Sequence, residues 1–292
     1  MGRITARRRV ARVHVDGEIG DRITRAPDSL AVEEPLEIRV GGRPLSVTMR
    51  TPGHDIELAA GFLVSEGVAS AASDVMTARY CAGTDDDGRN TYNVLDVTLG
   101  PGVAPLDPSL ERNFYTTSSC GLCGKASIDA VRTRSKFEPA RSDFVMEPEI
   151  LAELPDRLRD RQDVFDKTGG LHAAGLFDAD GELVVVREDV GRHNAVDKVI
   201  GWALTQERLP LRRTVLMVSG RASFELVQKA TMAGIPMLTA VSAPSSLAVE
   251  LAVESGMTLV GFLRGKSMVV YTGEERIAGM AGSQPATSEG VA

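Results

Sequence analysis

The chain has 292 residues, 43% of them hydrophobic and 25% charged, the proportions of a soluble globular protein with room for one large domain or two modest ones. Its 40 acidic and 33 basic side chains leave a net charge of −7, which argues against a binder of nucleic-acid backbones. Three cysteines are too few for a disulfide-stapled secreted fold, and no apolar run approaches the roughly 18 residues of a membrane span.

Residues 1–25 contain Arg7-Arg8-Arg9 without the apolar core of a signal peptide behind it, so they read as a flexible, solvated segment. A soluble, cytoplasmic protein with reduced thiols is expected. Residues 26–135 read as a small α+β domain with antiparallel strands. Leu36-Glu37-Ile38-Arg39-Val40 and Leu45-Ser46-Val47-Thr48-Met49 alternate around Gly41-Gly42, a hairpin. Asp55 then opens an amphipathic helix carrying Ile56, Ala59, Ala60, Phe62 and Leu63 and closed by Gly67. A second strand pair brackets Asp85-Asp86-Asp87-Gly88, whose acidic run suits a solvated loop tip better than a metal site. Gly100-Pro101-Gly102 breaks regular structure ahead of the densest chemistry in the chain.

That chemistry is Thr117-Ser118-Ser119-Cys120-Gly121-Leu122-Cys123-Gly124-Lys125. Glycines free the backbone, and an ammonium with unpaired amides lowers a thiol pKa toward the nucleophilic thiolate. Four readings of the pair stand side by side: a sulfur carrier holding a persulfide, a thioredoxin-like dithiol oxidoreductase, half of a zinc site, and inert structure. The four histidines are scattered, so no four-ligand zinc set is visible. Cys81, alone in Arg79-Tyr80-Cys81-Ala82, reads as a small packed hydrophobe.

Residues 136–272 read as an α/β domain with a largely parallel sheet. A helix is expected around Ile150, Leu151, Leu154 and Leu158, started or interrupted by Pro155. Three βα-type units then follow, with strand ends at positions 219, 242 and 264, spaced 23 and 22 residues apart. Ligands of such sheets lie beyond the carboxyl ends of the strands, where this chain places Ser219, Arg221, Ser223, Ser242, Ser245, Ser246, Arg264, Lys266 and Ser267. Ser223 and Ser245 also suit plain helix capping. Three loops in register on an acidic chain, two with arginine, favour an anionic, phosphorylated ligand. No Gly-x-Gly-x-x-Gly or Walker pattern accompanies them. Upstream, eight of the twelve residues from Arg187 to Lys198 are charged, histidine or asparagine, at a strand-to-helix junction. That density reads as a site including Arg192 and His193, with His172 nearby, unless it is a salt-bridged helix start whose Asp197 and Lys198 lie on the surface. Residues 273–292, rich in small and polar types, read as a disordered tail.

These segments together resemble the FdhD/NarQ family of formate dehydrogenase accessory sulfurtransferases. The likeness rests on Ser119-Cys120-Gly121-Leu122-Cys123-Gly124, Thr168-Gly169-Gly170-Leu171-His172, and Glu188-Asp189-Val190-Gly191-Arg192-His193-Asn194-Ala195-Val196-Asp197-Lys198. It continues through Ser219-Gly220-Arg221, Ser242-Ala243-Pro244-Ser245-Ser246 and Gly261-Phe262-Leu263-Arg264-Gly265, and spans roughly residues 30–272. The resemblance implies a cytidine-deaminase-like C-terminal domain beside a smaller N-terminal one. It implies a sulfur carrier that takes persulfide sulfur from a cysteine desulfurase onto Cys120, with Cys123 assisting or relaying. The sulfur goes to the molybdenum (or tungsten) bis-pterin guanine dinucleotide cofactor of the formate dehydrogenase catalytic subunit. Phe262, Leu263, Arg264, Gly265, Lys266 and Ser267 match the family's cofactor-binding stretch. A homodimer is left open, and a non-covalent cofactor chaperone is the alternative from another class. Deamination is not expected: the cysteine pair precedes His172, and Ala174 stands where a zinc deaminase has its glutamate.

Overall fold

The computed structural model describes residues 3–15, 23–81, 83, 92–104, 106 and 135–280. β1 (Thr5–Val13) and β2 (Ile23–Ala31) pair antiparallel in unbroken register from Thr5↔Ala31 to Val13↔Ile23. The expectation of a flexible start is therefore corrected for residues 5–13 and 23–25, whose backbone groups are paired in a ladder.

A four-stranded sheet of order β4-β3-β6-β5 follows, built from β3 (Glu34–Val40), β4 (Arg43–Arg50), β5 (Val75–Tyr80) and β6 (Val94–Leu99). Gly41 and Gly42 join β3 to β4 with φ of 58° and 80°, the left-handed pair that a tight hairpin turn needs. The alternation in β3 buries Leu36, Ile38 and Val40 on one face. The β3–β4 and β5–β6 pairs are antiparallel as expected, but β3 pairs β6 in parallel, so the expectation of antiparallel strands in this half is corrected for that pair. α1 (Asp55–Ser65) contributes Leu58, Ala59 and Leu63 to the core shared with this sheet.

The larger sheet has six strands in the order β12-β11-β10-β9-β7-β8. They are β7 (His172–Phe177), β8 (Leu183–Asp189), β9 (Val215–Val218), β10 (Met237–Ala240), β11 (Thr258–Arg264) and β12 (Ser267–Thr272). Only β9, β10 and β11 run parallel to one another; β7, β8 and β12 are antiparallel to their neighbours. The largely parallel sheet is thus corrected to a mixed one. The reason is connection length: β7–β8 and β11–β12 are joined by short turns, and short turns yield antiparallel pairs. The third unit read from the sequence as a strand leading into an anion loop is instead one arm of a hairpin.

β9 is buried on both faces, and its side chains divide by parity. Leu216 and Val218 join the core made with α4 (Arg192–Thr205), α5 (Phe224–Met232) and α6 (Ser246–Ser255). Val215 and Met217 pack instead with Leu151, Leu154 and Leu158 of α2 (Pro148–Arg159). Pro148 starts that helix and Pro155 lies inside it. A short α3 (Asp163–Thr168) follows, and β2 packs against it.

The two sheets are fused through α1 and α4. A Cβ built on Gly61 would lie 1.8 Å from the carbonyl oxygen of Asp197, and one on Gly201 1.8 Å from that of Glu57. Only glycine permits that backbone approach. At the far end Ile277 is fully buried and bridges Met146, so the disordered tail expected from residue 273 is corrected for residues 273–280. Residues 281–292 lie outside the described residues. No helix among the described residues is long and apolar enough to cross a membrane.

Candidate functional site

The carboxyl edge of β9 and β10 is also the edge where β7 begins, because β7 runs the opposite way. That geometry brings His172 beside Ser219. Ser219 Oγ accepts from the Ala173 amide at 2.9 Å and the Ser219 amide donates to the Ala173 carbonyl at 3.0 Å, clipping the end of β9 to β7. Gly220 marks where two further groups meet: a Cβ there would stand 3.5 Å from His172 Nδ1 and 4.0 Å from Arg192 Cδ, ordinary contact distances. Arg192 Nε is buried and has no hydrogen-bond partner. A buried donor without an acceptor is costly unless a ligand supplies one.

His193, the second residue of α4, places Nε2 3.3 Å from Ser223 Oγ and 3.8 Å from Glu225 Oε2. Ser223 occupies the N-cap position of α5 without capping it, whereas Ser245 does cap α6 by accepting from the Ala248 amide. Capping therefore accounts for Ser245 and not for Ser223. Burial, reinforced by Lys229, Arg192 and His172, pushes the His193 pKa down to about 3, so the ring is neutral near pH 7. Burial and the neighbouring Arg192 also lower His172, against the opposing pull of Asp189. Both imidazoles offer hydrogen bonds rather than charge; Arg192 supplies the charge.

His172 and Ser219 also line a cavity of about 530 Å³, whose other wall is Leu158 and Arg159 of α2 with Gln162 and Phe165. The sequence offered no sign of this wall. The expected anion loops are less convergent. Arg221 is exposed, Ser242 is half-buried, and the Ser242 carbonyl accepts from the Phe262 amide at 3.2 Å. Phe262 is 37% exposed at φ 51°, in the irregular stretch of β11 between Gly261 and Arg264. A bulky residue at positive φ stores strain, and such strain gathers at binding sites. Leu263 is buried in the core, so only its backbone is available to a ligand. Arg264, Gly265, Lys266 and Ser267 form the exposed end of the β11–β12 hairpin on this same edge.

The polar run between strand and helix divides in two. Asp189, fully buried, receives the Lys198 ammonium at 2.7 Å, the amides of Thr51 and Gly191, and Asn194 Nδ2. Lys198 also donates to the Thr51 carbonyl at 2.9 Å. Asp197 accepts from Ser65 Oγ at 2.7 Å and from Lys229 Nζ at 2.8 Å. The surface alternative for Asp197 and Lys198 is corrected: they are 3% and 1% exposed and hold the seam between the two sheets. Arg192 and His193 alone turn toward the crevice edge.

Cys120 and Cys123 lie outside the described residues, as does the Asp85–Gly88 tip. Among the described residues, Cys81 is a half-buried free thiol, and no group of three His, Cys, Asp or Glu is placed to hold a metal ion.

The chain is 65% identical over 283 residues to the sulfur carrier protein FdhD of Streptomyces avermitilis, covering 95% of this chain and 97% of that one. It is 58% identical over 280 residues to the protein of the same name in Mycobacterium tuberculosis, covering 95% and 100%. A crystal structure of a putative formate dehydrogenase accessory protein from Desulfotalea psychrophila shares the fold, with a TM-score of 0.72 at 23% identity over 94% of this chain and all of that one. The sequence model of the FdhD/NarQ family matches residues 31–278. By these measures the chain belongs to the FdhD/NarQ family.

Proposed function

We propose that this protein is a cytoplasmic sulfur carrier serving formate dehydrogenase. The Cys120 thiolate attacks the terminal sulfur of a cysteine desulfurase's persulfide; the desulfurase cysteine leaves as thiolate, and the persulfide now resides on Cys120. The outer sulfur then passes to the substrate, a molybdenum (or tungsten) bis-pterin guanine dinucleotide bound at the crevice edge, whose metal supplies the electron pair of the new bond while the S–S bond breaks and Cys120 leaves as thiolate, with Cys123 assisting or relaying. The cytidine-deaminase-like core implied by the resemblance belongs to this same reading.

Membership of a family whose close relatives are named sulfur carriers supports the carrier half. The observation that carries the substrate half is Arg192. Its buried, unpartnered Nε sits beside His172 at the strand ends, where a diphosphate oxygen would satisfy it. The strained Phe262 and the basic tip Arg264–Lys266 stand on the same edge, exposed to solvent.

Mass spectrometry of the Cys120 peptide after incubation with a desulfurase and cysteine should reveal an added sulfur atom. Cys120→Ala should fold normally and fail to activate the client dehydrogenase. Normal client activity with that variant would overturn the persulfide role and leave non-covalent chaperoning of the cofactor.

A further inference from the structure

The arginine run near the start of the chain has no part in holding sulfur or cofactor. Residues 1–31 contain seven arginines, no lysine and four acidic side chains, whereas the other 261 residues carry 36 acidic and 26 basic ones. Five of these arginines stand exposed on one hairpin: Arg7, Arg8, Arg9 and Arg12 on β1 and Arg25 on β2. Of the five, only Arg12 has an ion-pair partner among the described residues, Asp28 at 3.2 Å. β1 and β2 pair with each other and with no other described strand, so the hairpin is a two-stranded arm.

The register sorts the arm's side chains by face. Because side chains alternate along a strand, Arg7, Arg9, Ala11 and Val13 share a face with the residues opposite them, Ser29, Pro27, Arg25 and Ile23. Arg25 lies diagonally from Arg9, about 7–8 Å away in a ladder of this kind, and Arg7 lies about 7 Å from Arg9 along its own strand. Three like charges thus crowd a face of the ladder that carries no acidic residue. Protection of the strand edges does not account for them, since one or two charges of either sign would serve. Beyond the arginines, the cross-strand pair Val13 and Ile23 is 66% and 52% exposed. A basic centre with an apolar tip, built from arginine without lysine, has the composition of a protein contact surface.

The same face meets the candidate site at its inner end. Ala31 Cβ is 3.8 Å from the Cβ position of Gly170, which lines the 530 Å³ cavity, and β2 packs against α3. At about 3.3 Å per residue, Arg25 stands about 20 Å from Ala31, and the apolar tip about 26 Å. An apolar pair so far from the cavity serves a macromolecule that meets the crevice from outside. Guanidinium groups grip carboxylates with two parallel N–H bonds, and the acidic remainder of the chain disfavours a nucleic acid or an anionic membrane.

We infer that this face docks an acidic patch of the protein that takes up the cofactor, holding that recipient across the crevice. The inference rests on the carrier reading above and adds where the recipient binds. The root of the arm at the cavity wall assigns the face to the recipient rather than to the sulfur donor.

Interferometry with the immobilised, cofactor-free client dehydrogenase and the full chain tests this at low and raised salt. Arg7→Glu/Arg9→Glu/Arg25→Glu should slow association at low salt by about 100-fold, and raised salt should narrow the gap to wild type. Lysine at the same three positions keeps the charge and should bring association back to within about tenfold of wild type. Val13→Ser/Ile23→Ser should speed dissociation by about tenfold. Persulfide loading of Cys120 by the desulfurase should be unchanged in all three variants. Association and dissociation equal to wild type in the glutamate and serine variants would overturn the docking surface, leave the carrier reading intact and reduce the arginines to edge guards. Capture of the wild-type protein by phosphatidylglycerol vesicles or tRNA in place of the client would overturn it in favour of another partner. A wild-type protein that neither binds nor activates the client would bring down the carrier reading and this inference together.

Discussion

Replacing Gly61 with alanine probes the seam that joins the two sheets. In an unpacked helix interior this change stabilises by about 1 kcal/mol, because glycine is the poorer helix former. The structure reverses the sign. The added Cβ would stand 1.8 Å from the carbonyl oxygen of Asp197, 2.6 Å from its carbonyl carbon and 2.8 Å from the Gly201 nitrogen. All three are backbone atoms of α4, so no side chain can swing aside. To reach ordinary contact the helices must part by about 1 Å or more. The same seam holds Lys198 Nζ at 2.9 Å from the Thr51 carbonyl and Ser65 Oγ at 2.7 Å from Asp197, so both bonds stretch with it. Overpacking costs about 1–3 kcal/mol and each weakened buried bond about 1 kcal/mol, which leaves a net loss of about 2–4 kcal/mol after the helix-propensity gain. Urea unfolding followed through the single tryptophan, Trp202 on α4, measures it. Gly102→Ala is the control, since nothing lies within 4 Å of its Cβ position. A Gly61→Ala protein as stable as wild type would refute the backbone contact.

His193 should make stability depend on pH in one direction. Its folded pKa of about 3 lies below the ordinary value of about 6.5, so stability present above pH 6.5 is lost as pH falls toward 3, by about 2 kcal/mol at pH 5. His193→Gln should shrink the pH 8 to pH 5 difference in urea unfolding by that amount, and an undiminished difference would assign the effect to other groups. Lys198→Met leaves the buried Asp189 without its cation and should cost about 3–5 kcal/mol, much of it recovered in the Lys198→Met/Asp189→Asn pair; additive losses in thermal melts would contradict the pairing. Cys81→Ala should cost at most about 1 kcal/mol and preserve sulfur transfer. Loss of transfer by the folded variant would mean that the reactive thiol is not Cys120.

Local signals were legible and long-range ones were not. Serine at the start and glycine just past the end bounded α5 and α6 to within a residue or two, because a cap and a left-handed stop are written in neighbouring residues. Strand direction was not legible. The spacing that predicted a third parallel crossover held for β11, but the hairpin partner β12 and the antiparallel β7 depend on pairing between segments that no local pattern specifies. The charged run before α4 shows how the two kinds of information separate. Its composition announced that costly groups were being held, since so many hydrogen-bonding side chains beside a buried strand must find partners. Only the fold says which partners: Asp189, Asn194 and Lys198 turn inward to the seam, Arg192 and His193 to the crevice, and Glu188 sideways to the first turn of α3.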